Sequence, residues 1–249
     1  MLIQLEDLPK FLESDKSAAE GCIVDTNLLF AASFPLDTYN EWAEGVFKTL
    51  HSLNIPIFTN LNVRSEFIEL NRRVLIPEGL VDMYNDLAGN LTLELEQQLK
   101  SLKTLKQKAA NGNRTFKFND SDIKKYRRLL TKFIHTSGSN GWDLFCRDYF
   151  CPYIKDVWND VIGELKIQFL GTREIESGEF FTSRPEWKDM VDVVGRTGIG
   201  SSDAMIVNMF LKSKFSLIVT TDYDVESAVH KIGENKHHVL APPSMVINL

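Results

Sequence analysis

Four acidic side chains far apart in the chain share one kind of local setting. Asp25 ends the run Cys22-Ile23-Val24 and is followed by Thr26-Asn27. Glu66 lies about two turns into a helix expected to start at Thr59-Asn60, just after a short strand at Ile55-Pro56-Ile57-Phe58. Asp203 opens a helix, and Asp222 follows the apolar strand Phe215 to Val219, with Asp224 as an alternate. In open parallel sheets the carboxyl ends of strands are where ligands gather. Carboxylates brought together there repel and raise one another's pKa values, a strain that a divalent cation relieves. An all-oxygen donor set without His or Cys favours a hard ion, Mg²⁺ or Mn²⁺, over zinc. Such an ion activates water and offsets charge on a phosphate, which points to phosphodiester hydrolysis. Plainer roles stand beside these: Asp25 and Asp203 as turn or helix caps, and Glu66 as a surface residue paired with Arg73.

These residues need elements to position them. β-Branched Ile23 and Val24 suit a buried strand over Gly21–Val24. Residues 1–19 read as a lead-in with a helix from Leu5 to Leu12. Trp42, Val46, Phe47, Leu50 and Leu53 recur at helical spacing, and Asn54 ends that helix. Val63, Phe67, Leu70 and Val74 form the apolar stripe of the helix that carries Glu66. Near the carboxyl end, the glycine-rich Gly195-Arg196-Thr197-Gly198-Ile199-Gly200 reads as a loop that lacks the Lys-Ser/Thr of a phosphate-binding motif. Ser201-Ser202-Asp203 then starts a helix with Ala204, Ile206, Val207, Phe210 and Leu211 on its buried face. A last short strand is expected at His238–Leu240; His237-His238 lack metal-ligand spacing and read as a strand edge.

Between these parts, residues 76–194 show helical periodicity and no convincing strand. Leu91, Leu95, Leu99 and Leu102 make one stripe, and Asn111-Gly112-Asn113 breaks it. A basic helix over Ile123–Ile134 follows, then an aromatic stretch from Trp142 to Trp158 that Pro152 must kink or divide. At helical spacing those aromatics read as core, with base stacking as the alternative. The expected organisation is a single domain over 1–249, with its core at about 20–75 and 195–249 and a helical insertion at about 76–194.

The net charge of −6 hides an asymmetry. From Glu96 to His135 there are eleven Lys and Arg against three acids, so this stretch is +8 and the rest of the chain −14. Lys103, Lys106, Lys124, Lys125, Arg127 and Arg128 are therefore the expected RNA-binding residues, through phosphate contacts. No long apolar run suggests a membrane span. The first residues lack the basic-then-apolar order of a secretory signal. Three cysteines (Cys22, Cys146 and Cys151) cannot all pair with one another, so a reduced, cytoplasmic protein is expected.

Val24-Asp25-Thr26-Asn27, Thr59-Asn60 with Glu66-Phe67, Ser202-Asp203-Ala204 and Val219-Thr220-Thr221-Asp222-Tyr223-Asp224 resemble the successive motifs of the PIN-domain family, nucleases similar to the PilT N-terminus. The resemblance covers about residues 20–75 and 195–240; the long gap between Glu66 and Asp203 departs from small PIN toxins. It implies a three-layer α/β/α fold around a central parallel sheet, and a Mg²⁺- or Mn²⁺-dependent endoribonuclease. Asp25, Glu66, Asp203 and Asp222 would be catalytic metal ligands, with Asp224 as the alternate. Asn27 and Thr221 match positions that orient the first aspartate. An RNA substrate is the expected partner, with an inhibitory protein and a homodimer left open. The alternatives are a PIN-fold RNA- or protein-binding module with little or no chemistry, and a flap-type DNA nuclease.

Overall fold

Short β-branched and aromatic runs, each followed by a helix, dictate parallel pairing, because a crossover helix returns the chain to the same sheet edge. The computed structural model, which describes residues 2–15 and 17–244, has that form. Six strands form one all-parallel sheet: β1 (Leu2–Ile3), β2 (Cys22–Val24), β3 (Ile57–Asn60), β4 (Ile167–Leu170), β5 (Leu217–Val219) and β6 (His238–Leu240). Their order across the sheet is β1-β6-β5-β2-β3-β4. The helices, in chain order, are α1 (Leu8–Ser14), α2 (Thr26–Ser33), α3 (Asn40–Ser52), α4 (Leu61–Leu87), α5 (Leu93–Asn111), α6 (Asp120–Lys132), α7 (Gly141–Phe145), α8 (Cys151–Leu165), α9 (Thr172–Ser177), α10 (Trp187–Thr197), α11 (Ser201–Lys212) and α12 (Tyr223–Ile232).

The chain divides into two compact units. One runs to Phe67 and resumes at Val161; the other is Ile68–Asp160. The first holds the whole sheet. Its centre is β2, all three residues buried, paired in register with β5 (Val24 opposite Val219) and with β3 (Ile23 opposite Phe58). The order reverses at β2: β3 and β4 are laid to one side, β5 and β6 to the other. Such a reversal opens a crevice at the carboxyl ends of the two strands that flank it, here β2 and β5. Gly21 enters β2 at φ +146°, and a Cβ there would lie 2.6 Å from the Phe58 ring, so only glycine fits this approach.

The second unit has its own core. Leu80 and Met83 of α4, Leu95, Leu99 and Leu102 of α5, Ile123, Tyr126 and Leu130 of α6, and Phe145 of α7 are buried together. Between α7 and α8, Cys146–Phe150 form a π-helical turn, in which the Cys151 amide donates to the Cys146 carbonyl. This wider turn brings the chain into α8 just ahead of Pro152, which has no amide to give a regular helix. The aromatic stretch is thus carried by helices around a π-turn, with Phe145 in the core and Tyr153 exposed.

Several expectations are corrected. The stretch 76–194 is not wholly helical: β4 lies in it and forms the sheet edge beside β3. Its burial does not alternate, since Gln168 and Phe169 are both exposed, which removes the period-two signal. The second unit is also narrower than the expected insertion, because residues 161–194 belong to the first unit. β1 was not foreseen; the lead-in helix does begin at Leu5, as a 3-10 turn over Leu5–Asp7, and continues as α1 two residues past Leu12 to Ser14. The glycine-rich segment is only partly loop: Gly195, Arg196 and Thr197 complete α10, and Gly198 ends it in the left-handed conformation at φ +80°. Residues 245–249 of the expected core lie outside the described residues.

Candidate functional site

Each of the four expected acids is delivered to the carboxyl edge of the sheet by the element before it. Asp25 follows β2 directly, its amide donating to the Val219 carbonyl of β5 at 3.3 Å. It caps α2, with Oδ1 accepting from the Leu28 amide at 2.8 Å. The capping role is therefore real, but it occupies one oxygen only. Oδ2 accepts from the Thr220 hydroxyl. The Thr220 oxygen in turn accepts from the Asp222 amide at 2.8 Å, so one side chain ties the ends of β2 and β5 together.

Asn60 caps α4, its Oδ1 accepting from the amides of Asn62 (2.9 Å) and Val63 (3.1 Å). That fixes the start of α4 and carries Glu66 inward. Glu66 Oε2 accepts from the hydroxyls of Thr26 at 2.8 Å and Ser202 at 3.2 Å. The plainer pairing with Arg73 does not occur: Arg73 binds Glu69 at 3.1 Å. Asp222 is held by Asn27, whose Nδ2 donates to Oδ2 at 2.6 Å, and caps α12 by accepting from the Asp224 amide at 2.8 Å. Asp203 stands in the first turn of α11, whose N-cap is Gly200, so it is not the capping residue.

The electrostatics show how close these groups are. Asp25 is 1% exposed. Burial first, and then the charges of Asp222 and Glu66, push its pKa up to about 7 against the hydrogen bonds from Thr220 and Leu28. Burial, then Asp222, Glu66 and Asp224, push Asp203 up to about 6. Asp222 acts on both groups while Asp224, which is exposed, acts on Asp203 alone. This favours Asp222 as the inner acid of the last motif. The charges of Asp222 and Glu66 thus bear on both raised aspartates.

Two supporting residues differ from expectation. The hydroxyl that reaches Asp25 belongs to Thr220, not Thr221, and Asn27 reaches Asp222, not Asp25. Thr26 and Ser202, both on Glu66, were not singled out as its partners. Their only sequence signal is adjacency to the two aspartates. Thr220→Val removes the bond that holds the Asp25 proton affinity down. A net hydrogen bond of about 1 kcal/mol corresponds to nearly one pKa unit. Any activity that needs ionised Asp25 should then have its acid limb moved up by about one pH unit, read from a pH–rate profile; an unmoved limb would show that Thr220 has no such hold.

The donor chemistry is all oxygen and carries excess negative charge, which suits a hard divalent ion. Among the described residues, however, no group of three or more His, Cys, Asp or Glu side chains is placed to hold a metal ion. The carboxylate oxygens are turned instead to protein donors: Thr220 and Leu28, Thr26 and Ser202, Asn27 and Asp224. All three cysteines are free thiols, and burial pushes that of Cys22 up to about 12. Among the described residues no helix is long and apolar enough to cross a membrane. Comparison with protein-family models, with curated proteins and with solved structures gives no match to this chain.

Proposed function

We propose that this chain is a metal-dependent endoribonuclease with a PIN-like, three-layer arrangement of its sheet unit. The observation that carries the reading is the raising of Asp25 and Asp203 by burial and then by the charges of Asp222 and Glu66, at the point where the order of a parallel sheet reverses. A buried carboxylate such as Asp25, with further carboxylates beside it, is costly unless a cation or a proton offsets it. Asp25, Glu66, Asp203 and Asp222 would hold Mg²⁺ or Mn²⁺, with Asp224 at the outer side. When bound, the ion supplies a water of lowered pKa and offsets charge on the phosphate.

The chain's own residues set the rest. Thr220 keeps Asp25 oriented and favours its ionised form. Thr26 and Ser202 fix Glu66, and Asn27 fixes Asp222. Hydrolysis by water attack in line at phosphorus would leave a 5′-phosphate and a 3′-hydroxyl. The test is cutting of labelled single-stranded RNA, structured RNA and DNA in Mn²⁺, in Mg²⁺ and in EDTA. Metal-dependent cutting of RNA supports the reading. Cutting of DNA alone would replace it with a DNA nuclease, and no cutting of any strand would replace it with a non-catalytic module of the same fold.

A further inference from the structure

We propose that the outer face of α6 is a docking surface for the sugar–phosphate backbone of single-stranded RNA, an inference that rests on the hydrolytic reading for its choice of ligand. Lys124, Arg127, Arg128, Thr131 and Lys132 recur on this helix at positions i, i+3, i+4, i+7 and i+8 and line one open depression of about 580 Å³. All five are exposed, while Ile123, Tyr126 and Leu130 of the same helix are buried in the second unit's core. The helix is thus split into an anchoring face and a cationic face.

What separates these cations from the other expected RNA-binding residues is that, among the described residues, they have no ion-pair or ring partner. Among the described residues, none of Lys124, Arg127, Arg128 and Lys132 takes part in an ion pair within 4.0 Å. Other expected RNA-binding residues are engaged within the unit. Lys103 donates to Asn85 at 2.8 Å and lies over the Tyr84 ring, Lys106 pairs with Glu78 at 3.1 Å, and Lys125 lies over the Tyr126 ring. The acids of α6 are likewise taken: Asp120 by Arg72, and Asp122 by the capping box with Asn119.

The dimensions fit a nucleic-acid strand. Eight residues of helix rise about 12 Å, which at about 3.4 Å per phosphate of a stacked strand spans three to four phosphates. Two guanidinium groups at the centre can each grip a phosphate through two N–H donors. The Thr131 hydroxyl is already committed, donating to the Arg127 carbonyl at 2.8 Å, so the grip falls to the four cations. Among the described residues no aromatic side chain lines the depression to stack on a base, so the contact would be independent of sequence and strongly dependent on salt. An acidic polypeptide is the rival ligand; it lacks the regular spacing of singly charged groups that this row of cations matches.

The experiment measures binding of a labelled single-stranded RNA to the full chain in EDTA, over about 50 to 200 mM salt. A face variant combines Lys124→Gln, Arg127→Gln, Arg128→Gln and Lys132→Gln. A control variant combines Lys103→Gln, Lys106→Gln and Lys125→Gln. At about 0.7 per neutralised phosphate, the face variant should flatten the log–log salt slope by about 2 to 3 and weaken binding at least tenfold; the control should stay within about twofold. Thr131→Arg should do the opposite, tightening binding and steepening the slope by about 0.7. Unchanged RNA affinity in the face variant, equal losses in face and control variants, or tighter binding of a poly-glutamate peptide than of RNA would each overturn the proposal. Binding is read in EDTA and cutting in Mn²⁺, so a face that does not bind and a site that does not cut are separate results.

Discussion

Asp25→Asn is expected to lower metal-dependent RNA cutting at least ~10³-fold, because loss of a carboxylate that anchors the ion forfeits several kcal/mol of transition-state stabilisation. The fold should survive the change. The Asn carbonyl can accept from the Leu28 amide as Asp25 Oδ1 does. Its NH₂ can donate to the Thr220 oxygen, which already accepts from the Asp222 amide and has a second lone pair. The Thr220 hydroxyl, no longer needed by Asp25, faces the Asp222 carbonyl at 3.5 Å. Charge is removed from a site 1% exposed while the Leu28 amide and the Thr220 hydroxyl each keep a partner. Asp25→Ala is a poorer probe, because it would also leave the Leu28 amide and the start of α2 without a cap. The measurement is single-turnover cutting in Mn²⁺ beside a thermal melt. A folded Asp25→Asn chain that still cuts would remove Asp25 from the site.

Much of this site is legible in the sequence, for a physical reason. Ile23-Val24 and Leu217-Ile218-Val219 are fully buried strands on both faces, so they read as unbroken apolar runs, and the first polar residue after each marks the sheet edge. Asn60 is legible as a cap because its side chain competes for backbone amides better than it sustains a helix. The choice between Thr220 and Thr221 is not legible. Adjacent residues in extended chain point to opposite faces, and a shift of one residue exchanges them. Only the register of β5 against β2 turns Thr220 to Asp25. The partners of Glu66 are hidden for a similar reason, since Thr26 and Ser202 are brought to it from 40 residues before and 136 residues after in the chain. The boundary of the second unit falls inside α4, where no glycine, proline or change of composition marks it; Pro77 lies within the helix, ten residues further on. The edge strand β4 leaves no alternation to read, since its two central residues are both exposed.

The second large effect is on stability, and its sign follows from the direction of the shifts. Asp25 is raised from 3.8 to about 7, so the folded chain binds this proton more tightly than the unfolded chain. Its contribution is fully present below the unfolded pKa of about 4 and is lost as pH rises through about 7. Asp203, raised to about 6, acts in the same direction. For Asp25 the ceiling is roughly 4 kcal/mol, each kcal/mol being worth about 2–4 °C in a chain of this length. In EDTA, wild type and Asp25→Asn should therefore melt close together only near pH 4. They should separate as pH rises from about 4 to about 7, with half of the separation reached between about 5 and 6 and the variant several degrees higher at pH 8. Mn²⁺ at pH 8 should close the gap from the wild-type side, because an ion that binds only the folded carboxylates stabilises them by mass action, whereas the variant has lost a ligand and should respond less. A gap that stays constant from pH 5 to pH 8 would mean that Asp25 carries no elevated proton affinity. A gap that opens with pH but ignores Mn²⁺ and Mg²⁺ would keep the repulsion and remove the ion. The cluster would then be relieved by a proton alone, and the hydrolytic reading would lose the feature that led to it.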